Sequence, residues 1–306
     1  MKENTTVQKL HKTRNPFKRF YNAYISKRSV SEIISFSVVW LIFLAFACSY
    51  VYILFWGFMS GFKTHDEIAL HPFALPEKMQ WQNYADVFSE FEIAGYGFFG
   101  MLLNSLYFSV LGQFVTCMIT VMLAYATSKF KFFGSGFFYY AVMVMINLPL
   151  YGNGGSTYKL LYNLGFVNSY SQIFLAFTGM NMNYLIFYSA FKSLSWTFAE
   201  AAYIDGANDF TVFFRVMLPQ VLNLFGAIFL TLWVADWNNY SGALIYLTKM
   251  PVLASGIYSF ELNMTYVARL DILYAAYMIS AIPPLLLFAF FNKALTSNIS
   301  LGGIKE

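Results

Sequence analysis

Long apolar runs alternate along the chain with short polar intervals, and the runs are too long for the core of a soluble domain. The first, about Ile33 to Met59, contains no charged residue. It reads as a retained membrane span, because a signal-peptide core is shorter. Five more runs follow, at about Phe99–Thr127, Phe137–Tyr162, Gln172–Phe191, Val221–Leu247 and Leu273–Phe291. Each is close to the ~20 apolar residues that a helix needs to cross the hydrocarbon. The pattern predicts an all-α integral membrane protein with six transmembrane helices. Tyr151-Gly-Asn-Gly-Gly155 interrupts the third run, and its helix is expected to break there, leaving its course at Gly152–Gly155 open.

Composition agrees. Of 306 residues, 58% are hydrophobic and only 11% charged, against roughly a quarter charged in a soluble domain. Aromatics make up 21% and mean hydropathy is +0.54. So few charges cannot cover that much apolar surface in water, and disordered chains are polar and aromatic-poor. Cys48 and Cys117 both sit in apolar runs and suggest no disulfide framework. His11, His65 and His71 are scattered, and no His/Cys/carboxylate cluster has metal-ligand spacing, so no metal is expected. There is no G-x-x-x-x-G-K-[ST] loop and no nucleophile–base–orienter set, so neither a nucleotide site of its own nor catalysis is expected.

The charges set the expected topology. Residues 1–32 hold eight Lys/Arg against two acids, with Phe17, Phe20, Tyr21 and Tyr24 interleaved at near-helical spacing. This reads as a basic amphipathic segment on the anionic inner leaflet, followed by a transmembrane domain over 33–306. Nucleic-acid binding is the poorer reading, since the basic tract abuts a span. With the amino terminus inside, six spans return the carboxyl terminus to the same side. Cytoplasmic segments then carry fourteen of the nineteen Lys/Arg, as the positive-inside rule demands. The outer interval 60–98 is acidic. His65-Asp66-Glu67 there reads as a solvated turn rather than a metal site. Pro72 and Pro76 preclude a long helix, and Trp81, Tyr84 and Phe88 can hold the interval against the membrane surface. It is either a docking site for an outside partner or a lid held by its own aromatics.

One polar interval, between the fourth and fifth runs, carries a mechanism. Thr197 followed by Glu200 is a capping-box pair that predicts a helix from about Phe198. Ala199, Ala201 and Ala202 favour that helix and let another surface approach closely. Gly206 is placed to end it, and Asp209 to cap a second short helix from about Phe210 to Met217. Pro219 stands where the next span begins. The product is a cytoplasmic helix–turn–helix with an apolar side at Phe210, Phe213 and Phe214.

This stretch resembles the signature of ABC importer permeases, in which E-A-A is followed after three residues by Gly and, nine further on, by Ile-x-Leu-Pro. Glu200-Ala201-Ala202, Gly206, Leu218 and Pro219 fit every spacing, with Val216 standing for Ile. Asn104-Ser105-Leu106, Leu123-Ala-Tyr-Ala-Thr-Ser-Lys-Phe130, Leu164-Gly-Phe-Val-Asn-Ser-Tyr170, Trp81-Gln-Asn-Tyr84 and Gly302-Gly-Ile-Lys-Glu306 look like the shorter, maltose-type permease of the carbohydrate-uptake branch. Gly154-Gly155 departs from the uniformly apolar third helix of that family. The resemblance implies a heterodimer with a second permease subunit, two cytoplasmic ATPase subunits that bind the ATP, and an extracellular solute-binding protein. It implies further that Glu200, Ala201, Ala202 and Gly206 seat in the ATPase, with Asp205 and Arg215 as polar supplements. The expected location is the bacterial cytoplasmic membrane.

A pathway for a hydroxyl-rich solute needs hydrogen-bonding side chains and aromatic faces. Trp233, Asp236, Trp237, Asn239 and Tyr240 supply both, and at 100° per residue Trp233, Asp236, Trp237 and Tyr240 share one helical face. Asn147, Asn181 and Asn183 are weaker candidates. The competing reading has Asp236 binding a neighbouring subunit or meeting water, with the tryptophans as an interfacial belt. For the whole chain, the reading is a carbohydrate importer subunit. The alternatives are an ABC importer for a polyamine or anion, and a membrane-embedded glycan- or lipid-modifying enzyme.

Overall fold

The computed structural model describes residues 29–148, 154–177, 181–267 and 269–297. The basic residues 2–28, Gly152, Asn153 and the 302–306 motif lie outside them. The chain divides into two compact units, Met1–Phe58 and Met59–Glu306. The first is described by α1 (Val30–Ser60), free of charge after Glu32 in its first turn and about 46 Å long, enough to cross a bilayer.

The second unit opens with two short helices, α2 (His65–Leu70) and α3 (Gln82–Glu90). His65-Asp66-Glu67 is therefore the first turn of a helix and not a loop. Thr64 accepts from the Glu67 N–H, while the Glu67 carboxylate accepts from the Thr64 N–H at 2.7 Å, a reciprocal cap. Those backbone donors hold the Glu67 carboxyl below the usual range. The aromatics fold this interval on itself: Phe62 meets Trp81 at 4.7 Å and Tyr84 at 4.8 Å. Lys63 is buried, and its ammonium donates to the carbonyls of His71 and Pro72 at 3.1 and 2.9 Å. A tight hairpin, β1 (Glu92–Ile93) with β2 (Tyr96–Gly97), then leads into the long second helix.

That helix, α4 (Phe98–Lys129), contains a π-helical turn at Leu106–Leu111. The remaining elements are α5 (Ser135–Asn147), α6 (Gly154–Asn163), a 3₁₀ segment (Tyr170–Phe177), α7 (Met182–Ser193), α8 (Thr197–Ile204), α9 (Asp209–Gln220), α10 (Leu222–Trp237), α11 (Tyr240–Tyr246), α12 (Leu253–Val267) and α13 (Leu270–Ser297). Three helices among the described residues, α1, α4 and α13, are long and apolar enough to cross a membrane alone. A fourth crossing is available if α9 and α10, bent by 77° at Val221, count as one.

Three of the expected spans differ from continuous helices. In the third, α5 ends at Asn147 with Leu148 extended, and α6 starts at Gly154 and includes Gly154-Gly155, the residues between lying outside the described ones. The fourth begins as a 3₁₀ segment before α7. The fifth ends at Trp237 rather than Leu247, because Asn238 donates back to the Val234 carbonyl at 2.8 Å and Asn239 accepts from the Gly242 N–H at 3.0 Å. Asparagine side chains at a helix end take over backbone bonds in this way. α12 occupies part of what reads in the sequence as a loop.

Two apolar cores lie at opposite ends of α4 and α10, which run antiparallel. One gathers Phe98 and Met101 from the start of α4, Trp233 and Trp237 from the end of α10, and Leu253, Ile257, Ile272 and Ala276 from α12 and α13. The other gathers Val121, Ala124 and Tyr125 with Phe187 and Phe191 of α7, Val212, Phe213 and Met217 of α9, and Phe225 of α10. The motif at Asn104-Ser105 fastens the start of α12: Asn104 donates to the Pro251 carbonyl at 3.0 Å, and the Leu253 N–H donates to Ser105 Oγ at 2.7 Å. Asn168 clamps the segment after α11, donating its N–H to the Tyr246 carbonyl at 2.8 Å and accepting from the Lys249 N–H at 2.7 Å. Arg269, ahead of α13, pairs with Asp86, Glu90 and Asp271, and so ties α3 to the last helix.

Candidate functional site

Two sites were expected, and the structure builds both differently in detail. The helix pair α8–α9 closes through a left-handed residue. Gly206 has φ +83°, its N–H donates to the Tyr203 carbonyl at 3.0 Å, and the Ala207 N–H reaches the Ala202 carbonyl at 3.0 Å. This is the Schellman pattern that a C-terminal glycine permits. The expected caps are corrected. Thr197 lies inside the first turn, its hydroxyl bonded to Ser195 Oγ at 2.7 Å, so no capping box forms with Glu200. Asn208, not Asp209, caps α9 by accepting from the Thr211 N–H at 2.8 Å. Asp209 instead accepts from the Tyr203 hydroxyl at 2.7 Å, tying the two helices across the turn. Sequence reasoning missed Tyr203, because its partner is decided by the turn and not by helical spacing.

The pair has a seated side and an open side. Ala199, Val212, Phe213 and Met217 are buried against α4 and α7, with Phe213 5.0 Å from Tyr125. The Lys129 ammonium donates to the Leu194 carbonyl at 2.7 Å just before α8. Glu200, Ala201, Asp205 and Gly206 are exposed, Ile204 is 86% exposed and Phe198 52%. On α9, Arg215 and Pro219 are exposed, Leu218 is half-buried, and Pro219 lies in the last turn, which ends at Gln220 ahead of α10. Phe213 therefore belongs to the seat, whereas Phe210 is 71% exposed. Ile204 is an outward apolar residue that the sequence signature does not include.

At the second site the structure brings together only part of the expected set. Asp236, Trp237 and Asn239 line a cavity of about 280 Å³. Trp233 does not reach it: it is fully buried in the core with α12 and α13, 5.2 Å from Trp237. Tyr240 stacks on Tyr258 at 4.5 Å and borders a separate cavity, because α10 ends before it and the shared helical face is lost. Trp237 donates its indole N–H to the Ser280 carbonyl at 3.2 Å. Asn147 and Asn181 are engaged locally, with the Met143 carbonyl and the Asn183 N–H respectively. The other polar walls of the cavity were missed: Ser109, Gln113 and Thr116 form one stripe of α4, and Gln172 faces them from the 3₁₀ segment. Gln113 and Asn239 line the wall beside Asp236.

Helices long and apolar enough to span a membrane, a polar cavity beside α4 and α10, and an exposed helix pair seated on α4 and α7 are the features to set against known proteins. No protein-family model matches the chain. It is 28% identical to the diacetylchitobiose uptake system permease protein NgcG of Streptomyces coelicolor, over 81% of this chain and 82% of that protein. It is 26% identical to the arabinooligosaccharides transport system permease protein AraQ of Bacillus subtilis, over 87% and 94%. The crystal structure of a bacterial ABC transporter involved in the import of the acidic polysaccharide alginate shares the fold, with a TM-score of 0.72 at 22% identity over 87% of this chain and 98% of that one. The homologues of this chain are carbohydrate ABC transporter permeases.

Proposed function

We propose that the chain is the transmembrane permease subunit of an ATP-driven ABC importer for a carbohydrate. It works as half of a heterodimer with a second permease, and ATP is bound by two partner ATPases rather than by this chain. An extracellular binding protein delivers the cargo. In this reading the protein sits in the bacterial cytoplasmic membrane with both termini inside. Its six spans are α1, α4, the α5–α6 pair, the 170–193 segment, α10 and α13. The names of its relatives favour a carbohydrate over a polyamine or an inorganic anion.

The observation that carries the coupling role is the two-sided build of α8–α9. One side is fused to the core through Ala199, Val212, Phe213 and Met217, while the other presents Glu200, Ala201 and Ile204. A small-residue helix fits a groove, and Glu200, free of a capping duty, is available to a cation of the ATPase. Closure of the ATPases then pushes a rigid handle. Through the 77° bend at Val221, the push reaches α10, whose far end carries Asp236 and Trp237.

Glu200→Lys tests this. The side chain is exposed, so the variant is expected to insert and fold normally but to retain at least about tenfold less ATPase on co-purification, since charge reversal at a polar contact costs ~2 kcal/mol or more. Full retention of the ATPase argues against this surface as the handle.

A further inference from the structure

The relatives' names span neutral and acidic glycans, so they do not choose the cargo. The cavity beside Trp237 does. Among the described residues Asp236 is its single carboxylate, and no Lys, Arg or His lines it. Of the bordering hydroxyls, Ser109 donates to the Ser105 carbonyl at 2.5 Å, Thr116 donates to the Gly112 carbonyl at 2.9 Å and Ser105 Oγ accepts from the Leu253 N–H, while Tyr246 adds a neutral phenol to the wall. What remains for a ligand is the Asp236 carboxylate, the side-chain amide of Gln113, the NH2 of Asn239, whose oxygen is held by the Gly242 N–H, and Gln172, whose Oε1 is buried with no hydrogen-bond partner among the described residues. Buried acceptors of this kind gain from a ligand that donates.

A neutral polyol satisfies such walls, because each hydroxyl both donates and accepts. A carboxylated sugar does not. It brings a second negative charge close to Asp236 with no cation to offset it. At about 6 Å and an effective dielectric of ~20, that repulsion corresponds to roughly a hundredfold in affinity, and screening leaves about tenfold. The volume, about 280 Å³, lies at the small end of ligand sites and suits about one sugar ring at a time.

We infer that this cavity admits neutral saccharide units and rejects uronates, with Asp236 as the specificity-determining residue. The inference rests on the importer reading and narrows it. The cargo of the solved alginate importer is accordingly not carried over to this chain.

The test is equilibrium binding of tritiated diacetylchitobiose, arabinotriose, maltotriose and trigalacturonate to the permease–ATPase complex in nanodiscs, without the binding protein, which would impose its own selection. The expected result is that at least one neutral probe binds and trigalacturonate binds at least about tenfold more weakly. Asp236→Asn, close to isosteric, narrows that gap at least about fivefold, while Asp236→Glu keeps it. Trigalacturonate binding as tightly as the best neutral probe, an unchanged gap in Asp236→Asn, or an assembled complex that binds no probe each overturns the inference and leaves the importer reading standing. Failure of the chain to assemble with any ATPase overturns both.

Discussion

Gly206→Pro is expected to abolish ATPase association and transport while leaving the protein in the membrane. Gly206 sits at φ +83°, and its N–H donates to the Tyr203 carbonyl. Proline fixes φ near −65° and has no N–H, so both halves of the turn are lost at once. Gly206→Ala isolates the first half. A Cβ there meets only open space, so its cost is the left-handed conformation alone, ~1–2 kcal/mol. Alanine should therefore weaken retention of the ATPase about tenfold, and proline should reduce it to background. Co-purification and sugar uptake, each normalised to the amount in the membrane, check the series. Equal behaviour of alanine and wild type would mean that the turn geometry does not matter.

The largest effect on stability is expected at Trp233. It is fully buried between α10, α12 and α13, and its indole N–H has no hydrogen-bond partner among the described residues. Trp233→Ala leaves a large cavity and should cost ~3–5 kcal/mol. Trp233→Phe removes an unsatisfied donor together with part of the ring, so it should cost markedly less. At Trp237, where the indole N–H is bonded to the Ser280 carbonyl, the phenylalanine variant should lose an additional ~1 kcal/mol for that bond. Thermal unfolding of the detergent-solubilised protein ranks these variants. A Trp233→Phe protein as unstable as Trp233→Ala would contradict the assignment of Trp233 to the core rather than to the solute path.

The apolar runs that become α1, α4 and α13 are legible in the sequence because nothing within them competes with the helix. Pro283 and Pro284 lie inside α13 and do not end it, as neighbouring groups in a spanning helix compensate for the missing donors. The break after Trp237 was hidden, since Tyr240–Leu247 prolongs the apolar window while Asn238 and Asn239 cap what precedes and follows them. α12 was hidden for the opposite reason. Its buried residues, Leu253 and Ile257, share a face with Gly256, packed so closely that a Cβ there would lie 2.3 Å from Met101 Sδ. Glu261 and Asn263 lower its hydropathy below that of a span. At α8–α9, the turn and its glycine could be read from spacing, but the capping residue could not. Ser195, Thr197, Asn208 and Asp209 are all able caps, and tertiary seating chooses among them. At the cavity Asp236 stood out as a charge, whereas Gln113 and Gln172 are ordinary amides until α4 and the 3₁₀ segment bring them face to face.

The central claim is that α8 is an aqueous handle held by a separate ATPase. Its most direct test is Ala201→Cys in a Cys48→Ser background, treated with a short bifunctional maleimide in inside-out vesicles that contain the assembled transporter. The account predicts that a membrane-impermeant maleimide labels the introduced thiol when the ATPase is stripped away, and that the thiol cross-links to the ATPase when it is present. A thiol at this position that reacts only with lipid-soluble reagents, or that stays equally open to the aqueous reagent whether or not the ATPase is bound, would contradict it.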